Sequence, residues 1–317
     1  MMGKVAIFGA AGAMGRAVAK ELRFRDIEFR AVGRNAARLQ EAFGEMRQAE
    51  VHAADLSDPA AAIEAARGVE TVIYAVGVPY TSFHLHPKLM QTTVDAAAAA
   101  GVRNLAVISS VYSYGVPETR TVAETHPRNP QTFKGRMRKE QEDIAFQAQL
   151  EGRLQSLVVR LPDFYGPWAE ASLGNMILRA ALAGKKADWL GSPDKPHEFI
   201  YVPDAGPVIV ELASRPECYG QSWNLGGADE ITGGEFMTLV YRQLGREPKW
   251  RAISRTKLKI AGLVDPLVKE LVEMQYLAET PVILDDSRLK KTLGAVQKTS
   301  YKEGIQKTLA WMRANPA

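Results

Sequence analysis

The chain has 317 residues, 46% of them hydrophobic and 24% charged, with a net charge of +4: enough for one large domain or two modest ones, in the range of an ordinary globular protein. Basic residues come in short runs such as Arg23–Arg25 and Arg136–Lys139, with no stripe to track phosphates, so nucleic acid is not an expected partner. One cysteine, Cys218, rules out an internal disulfide and reads as a small buried hydrophobe in a reducing compartment.

The chain opens on "MMGKVAIFG", already strand-like, so no signal peptide is expected. Val5–Gly9 is an apolar run ended by glycine, followed by a small-residue helix to about Arg23 and a second run at Glu28–Val32. "EVHAADL" is the third, and Asp58-Pro59 opens an alanine-rich helix that ends at Gly68. "TVIYAVG" is the fourth, and a helix over Pro87–Ala100 stops at Gly101. "LAVISS" is the fifth run. "QSLVVRLP" follows the helix containing "NPQTFKGRMRKEQED". Short, almost uniformly apolar strands alternating with helices predict an α/β fold: a Rossmann-type, doubly wound parallel sheet. Beyond Pro162 the alternation fades and Gly and Pro thicken. The expected division is a dinucleotide-binding domain over 1–165, with a returning segment at about 198–226. A smaller, mainly helical, partly interleaved substrate region would cover 166–317. No apolar stretch reaches the roughly 18 residues of a membrane span, so no membrane is expected and the cytoplasm is the expected location.

The first strand runs straight into Gly9-Ala10-Ala11-Gly12-Ala13-Met14-Gly15. Glycines there allow a tight turn, close approach of backbone N–H groups to a pyrophosphate, and close helix–strand packing. The helix N-terminus adds a favourable dipole. Position at the very first strand–helix junction makes this a dinucleotide signal rather than a chance turn. The end of the second strand chooses the cofactor. An acidic residue there would accept a ribose 2′-hydroxyl, whereas this chain has Gly33-Arg34-Asn35 with Arg38 one turn on. Arg34 suits a 2′-phosphate, so NADP(H) is expected over NAD(H). Asp55, followed by Leu56, is placed either to bond the adenine amino group or to cap the next helix, a task Ser57 or Asp58 can share.

These segments, with Ala75-Val76-Gly77, "VISSVYSYG", "VVRLPDFYGP", "HEFIYVPDAGP", "SWNLGG" and "TPVILDDSRLKKTLG", span nearly the whole chain. In that order they resemble the short-chain dehydrogenase/reductase superfamily, in particular its extended epimerase/dehydratase branch. The resemblance implies that Ser110, after Ser109, hydrogen-bonds a substrate oxygen, and that Pro162 and Tyr165 lie near the nicotinamide. It implies that His197 and Asp204 flank the returning segment. It also implies a homodimer formed through the helices Pro87–Ala100 and Lys134–Gln149, where "VDAAAAAG" supplies small side chains.

The resemblance breaks at the family's Tyr-x-x-x-Lys. Aligned on it, "NPQTFKGRMRK" puts Lys134 at the tyrosine and Arg138 at the lysine, on one helix face. Arg138 retains a fork of donors for a ribose but cannot give up a proton. Proton donors would then be Lys134, with its pKa lowered by burial and Arg138, or Tyr112 or Tyr114. His84-x-His86 lacks a third ligand, so no metal is expected. The expectation is an atypical NADP(H)-dependent oxidoreductase acting on a small carbonyl or activated alkene. The alternatives are a nucleoside-diphosphate-sugar epimerase or dehydratase, and a non-catalytic NADP(H) sensor.

Overall fold

Strands form where the chain carries its short apolar runs. The computed structural model describes residues 2–316. In it, β1 (Val5–Phe8), β2 (Phe29–Gly33), β3 (Ala49–Ala53), β4 (Thr71–Tyr74), β5 (Asn104–Ser110), β6 (Gln155–Leu161) and β7 (Ser222–Asn224) make one sheet, in the order β7-β6-β5-β4-β1-β2-β3. β1 is parallel to β2 and β4, β2 to β3, and β4 to β5. Every residue of β1 and β4 is buried, as strands covered on both faces must be. β3 lies at the sheet edge and has none buried.

Helices α1 (Ala13–Phe24), α2 (Ala36–Phe43), α3 (Pro59–Ala66) and α4 (Leu85–Ala99) link the first five strands, and α5 (Phe133–Leu150) precedes β6. Local chemistry sets their starts. Asn35 caps α2 by accepting the Arg38 N–H, and Asp58 caps α3 with Pro59 at its first position. Phe8, Val72 and Tyr74 meet Ala62, Ala66 and Ala97 in the core. Part of the alanine run expected to pair subunits is therefore used inside the unit, between α3 and α4.

The chain divides into two units. One takes Met1–Ser110, Arg136–Arg160 and Ala205–Trp223; the other takes Val111–Gly135, Leu161–Asp204 and Asn224–Ala317. Two boundaries differ from the expected ones. Residues 111–135 cluster with the second unit, because Thr121–Val122 pairs as a strand with Ile283–Leu284 and the Tyr114 hydroxyl donates to Asn224 at 2.7 Å. The returning segment is correspondingly shorter than 198–226. Within the second unit, Asp163–Tyr165 pairs with Phe199–Tyr201 and Ala187–Leu190 with Trp250–Ile253, both in parallel. Its core is aromatic: Tyr165, Trp189, Phe199, Phe236 and Tyr301 pack together. No helix among the described residues is long and apolar enough to cross a membrane.

Candidate functional site

The glycines of the first loop divide by what surrounds them. Gly9 has φ +86°, and a Cβ there would lie 2.8 Å from the Ala75 carbonyl carbon; at Gly15 it would lie 2.5 Å from the Gly9 oxygen. The fold itself forbids side chains at both. Gly12 is different. It is exposed, and a Cβ would meet only the Gly9 oxygen, at 3.4 Å. The space over Gly12 is thus open to something from outside the chain. Gly12 is also the N-cap of α1, and it offers no side chain to the first-turn N–H groups, unlike Asn35 or Asp58 at the next two helices. Ala11 and Ala13 are half-buried, while Met14 packs inward. This is a cradle suited to a pyrophosphate: uncapped donors, a helix dipole and no intervening side chain.

Around the cradle, Gly77 is exposed with open space over it, whereas Ala75 is tied back by its N–H to the Phe8 carbonyl at 2.7 Å. Val76 is half-buried and closes on Gly9. Arg34 and Arg38 are both exposed at the start of α2. The Asp55 carboxylate accepts the Ser57 N–H and hydroxyl at 2.9 and 2.8 Å. Those bonds, with the Arg34 charge adding to them, hold Asp55 below the usual carboxylate range. Asp55 therefore makes a turn ahead of α3, and Asp58 is the helix cap. Leu56 is core.

At the end of β5 the first unit buries a polar network that the sequence reading missed. Arg138, Gln141, Glu142, Ala145 and Ala148 are buried on α5 in this unit, and Lys134, at the start of the same helix, is buried in the second. "KGRMRKEQED" looks like a solvated charged helix, yet its inward stripe is polar. The Arg160 Nε and Nη2 donate to the Glu142 Oε2 at 3.1 and 2.8 Å, and the Ser109 hydroxyl donates to its Oε1 at 2.5 Å. One carboxylate thus joins α5, β5 and β6. A signal existed in the sequence: Arg160 interrupts the apolar run "LVVRL" of a central strand, where an arginine requires a buried partner. Ser110 is half-buried at the strand end.

Arg138 is built inward, only 8% exposed. Its Nη1 donates to the Gln141 Oε1 at 2.8 Å and faces the His86 Nδ1 at 3.3 Å, while its Nη2 donates to the Ile108 carbonyl at 3.3 Å. Burial, reinforced by the Arg138 charge, pushes His86 down to about 2. His86 is therefore a neutral acceptor for the guanidinium. Burial likewise raises the Tyr74 phenol, against the pull of Arg138 and Gln141. The ribose clamp expected of Arg138 is thereby corrected to a buried side chain that bonds Gln141 and the Ile108 carbonyl.

Lys134 requires the larger correction. Its ammonium is fully buried and held by Glu270 and by Glu273, the latter at 2.5 Å. Glu273 also accepts the Phe133 N–H at 2.8 Å, so it caps the start of α5. A lysine engaged by two carboxylates does not stand ready to exchange a proton with a substrate. Those partners lie 136 and 139 residues away in sequence, beyond any local signal. Tyr114 is also corrected: it is fully buried with its hydroxyl on Asn224. Tyr112 is half-buried beside it on the turn after β5. Pro162 is buried, and Tyr165 lies wholly inside the aromatic core against Phe199, Tyr201, Phe236 and Tyr301. That enclosure raises its phenol and makes Tyr165 a packing residue, not one facing a cofactor. His197 bonds Asp163 at 3.1 Å, and Asp204 accepts the Thr299 N–H and hydroxyl at 2.7 and 2.8 Å. Among the described residues no three His, Cys, Asp or Glu side chains converge as a metal site.

Residues 9–150 match the family model described as NAD(P)H-binding. The dTDP-glucose 4,6-dehydratase of Escherichia coli is 24% identical over 168 residues, which are 51% of this chain but only 43% of that protein. In fold, the chain matches the dTDP-glucose 4,6-dehydratase of Bacillus anthracis str. Ames in complex with NAD. The TM-score is 0.83 at 16% identity, covering 99% of this chain and 97% of that one. The UDP-glucuronic acid 4-epimerase of Bacillus cereus in complex with NAD gives 0.81 at 14% identity, over 98% and 99%. At these identities the likeness establishes the fold alone, an architecture like that of these dehydratase and epimerase structures.

Proposed function

We propose that this chain, an NAD(P)-binding protein of the extended short-chain dehydrogenase/reductase type, is an atypical NADP(H)-dependent oxidoreductase acting on a small carbonyl or activated alkene. Gly12 and the first-turn N–H groups of α1 would hold the pyrophosphate, and Arg34 the 2′-phosphate. When bound, NADPH supplies a hydride. Ser110 would orient the substrate oxygen, and Tyr112 or solvent would supply the proton.

The observation that carries this reading is the ion-paired burial of Lys134. Epimerases and dehydratases of this fold need a reversible acid/base where the alignment puts Lys134, and a lysine clamped by two glutamates does not serve. Hydride delivery with a proton from elsewhere is less demanding. The same clamp favours a second reading, an NADP(H) sensor without turnover.

Incubation with NADPH and a panel of ketones, enones, quinones and nucleoside-diphosphate sugars separates them. We expect NADPH oxidation on a carbonyl or enone. Lys134→Met, which keeps the aliphatic stem, should retain turnover to within about tenfold, short of the 10²–10⁴ that losing a general acid costs. A larger drop would return the proton to Lys134. Tight NADPH binding with no turnover on any acceptor would establish the sensor.

A further inference from the structure

Three exposed apolar side chains of the second unit sit at the tip of a helical hairpin, beside a run of basic residues. Helix Arg255–Ala261 turns back into helix Pro266–Val272 through residues 262–265. Ile260, Leu263 and Val264 at this bend are 63%, 84% and 88% exposed. The tip is a well-fastened turn. The N–H groups of Leu263, Val264 and Asp265 bond the carbonyls of Ile260 and Ala261 at 3.1–3.2 Å, and Asp265 caps the second helix through the Val268 N–H at 3.3 Å. A Cβ at Gly262 would lie 2.9 Å from the Lys269 Cα, so only glycine lets the helices meet this closely. Leu258 is buried on the inward side. The three apolar side chains are therefore held outward by their own backbone.

From 249 to 264 the sequence contains five basic residues and no acidic one. Arg251 pairs with Asp188, while Lys249, Arg255, Lys257 and Lys259 are exposed. Asp265 is the one acid at the bend, while Glu270 and Glu273 are turned to Lys134, so the basic residues outnumber the acids around the tip. An apolar tip next to the exposed Lys257 and Lys259 has the chemistry of a segment that lies in a bilayer interface, apolar side chains among the acyl chains and ammonium groups at anionic headgroups. The basic run disfavours a second copy, which would bring like charge against like charge. The absence of an aromatic side chain at the tip disfavours single-stranded nucleic acid, which is held by stacking.

We propose that the 255–272 hairpin docks the protein on membrane surfaces bearing anionic lipid. This is peripheral attachment and requires no spanning segment.

Co-sedimentation of the full chain with vesicles tests it, independently of any turnover. We expect binding to phosphatidylcholine vesicles containing phosphatidylglycerol, little binding to phosphatidylcholine alone, and release at high salt as the charges are screened. Lys257→Gln with Lys259→Gln should weaken partition by about tenfold or more, and Leu263→Ser with Val264→Ser comparably. All four positions are exposed, so these variants should fold, which far-ultraviolet circular dichroism checks. No binding to the anionic vesicles would overturn the proposal. So would unchanged binding by both variants. Self-association of the unmodified chain without lipid, relieved by Leu263→Ser with Val264→Ser, would assign the tip to a second copy and overturn it as well.

Discussion

Glu142 in the first unit and Glu198 in the second are both buried carboxyls, 0% and 6% exposed. They are accommodated in opposite ways. Glu142 meets the Arg160 guanidinium and the Ser109 hydroxyl. Glu198 is held by two backbone N–H groups, from Gly227 at 2.9 Å and Leu284 at 3.1 Å, with Lys298 attracting and Asp286 repelling its charge. Burial outweighs the N–H donors and pushes Glu198 up to about 7. The first unit thus fastens a helix to its sheet through an arginine–carboxylate pair, whereas the second fastens three segments with a carboxyl that burial pushes up to about 7.

The largest expected effect breaks the Arg160–Glu142 pair. Arg160→Met leaves Glu142 buried without a counter-charge and should cost about 3–5 kcal/mol, read as a lower urea midpoint. Adding Glu142→Leu should restore most of it, since two apolar side chains leave no buried charge. If the double variant is no better than the single one, packing around Arg160 and not charge is what matters.

The second unit should show the pH dependence. Burial holds Glu198 up at about 7 in the folded chain, against the ordinary carboxyl value of 4.5 when unfolded. The folded state therefore binds the proton more tightly. Its stabilising contribution is complete below about 4.5 and is lost as pH rises through 7, about 3 kcal/mol in all. Four of the five tryptophans, Trp168, Trp189, Trp250 and Trp311, belong to this unit, so fluorescence-detected urea unfolding reports it. Glu198→Gln should flatten the profile between these pH values. A slope that survives the substitution would place the titration elsewhere, with Asp204, also raised by burial, the next group to test.

The smallest effect concerns a charge at the surface. Arg34 is exposed and should act on the ligand and not on the fold. Arg34→Asp should leave the urea midpoint unchanged and shift the NADPH-to-NADH affinity ratio by about ten- to a hundredfold, the 1.5–3 kcal/mol of one charge-assisted contact. Equal affinity for both cofactors in the unmodified chain would remove Arg34 from that role.

Much of the first unit was legible in the chain. Uniformly apolar runs became β1 and β4, Asp58-Pro59 opened α3, and Gly101 followed α4. The Gly9–Gly15 loop lies at the first strand–helix junction, where it was expected. The region over 133–143 was not legible. Its charges suggest a solvated face, yet Lys134, Arg138 and Glu142 are buried. Among the named site residues, some of those read from local backbone chemistry stand in open positions, such as Gly12 and Arg34. Those carried over through the resemblance, Lys134, Tyr165 and Arg138, are enclosed by neighbours that the resemblance did not supply.

Sequence by itself determined the strand–helix alternation, the helix caps and the glycine cradle, because each rests on sterics and hydrogen bonds among residues a few positions apart. Only the tertiary structure decided which charges lie inside. A buried ammonium or carboxylate is tolerable only beside a counter-charge or a set of donors. Here those partners come from distant parts of the chain: Glu270 and Glu273 for Lys134, and Gly227 and Leu284 for Glu198. Lys134 reads as a catalytic acid or a solvated lysine until the fold brings two glutamates against it.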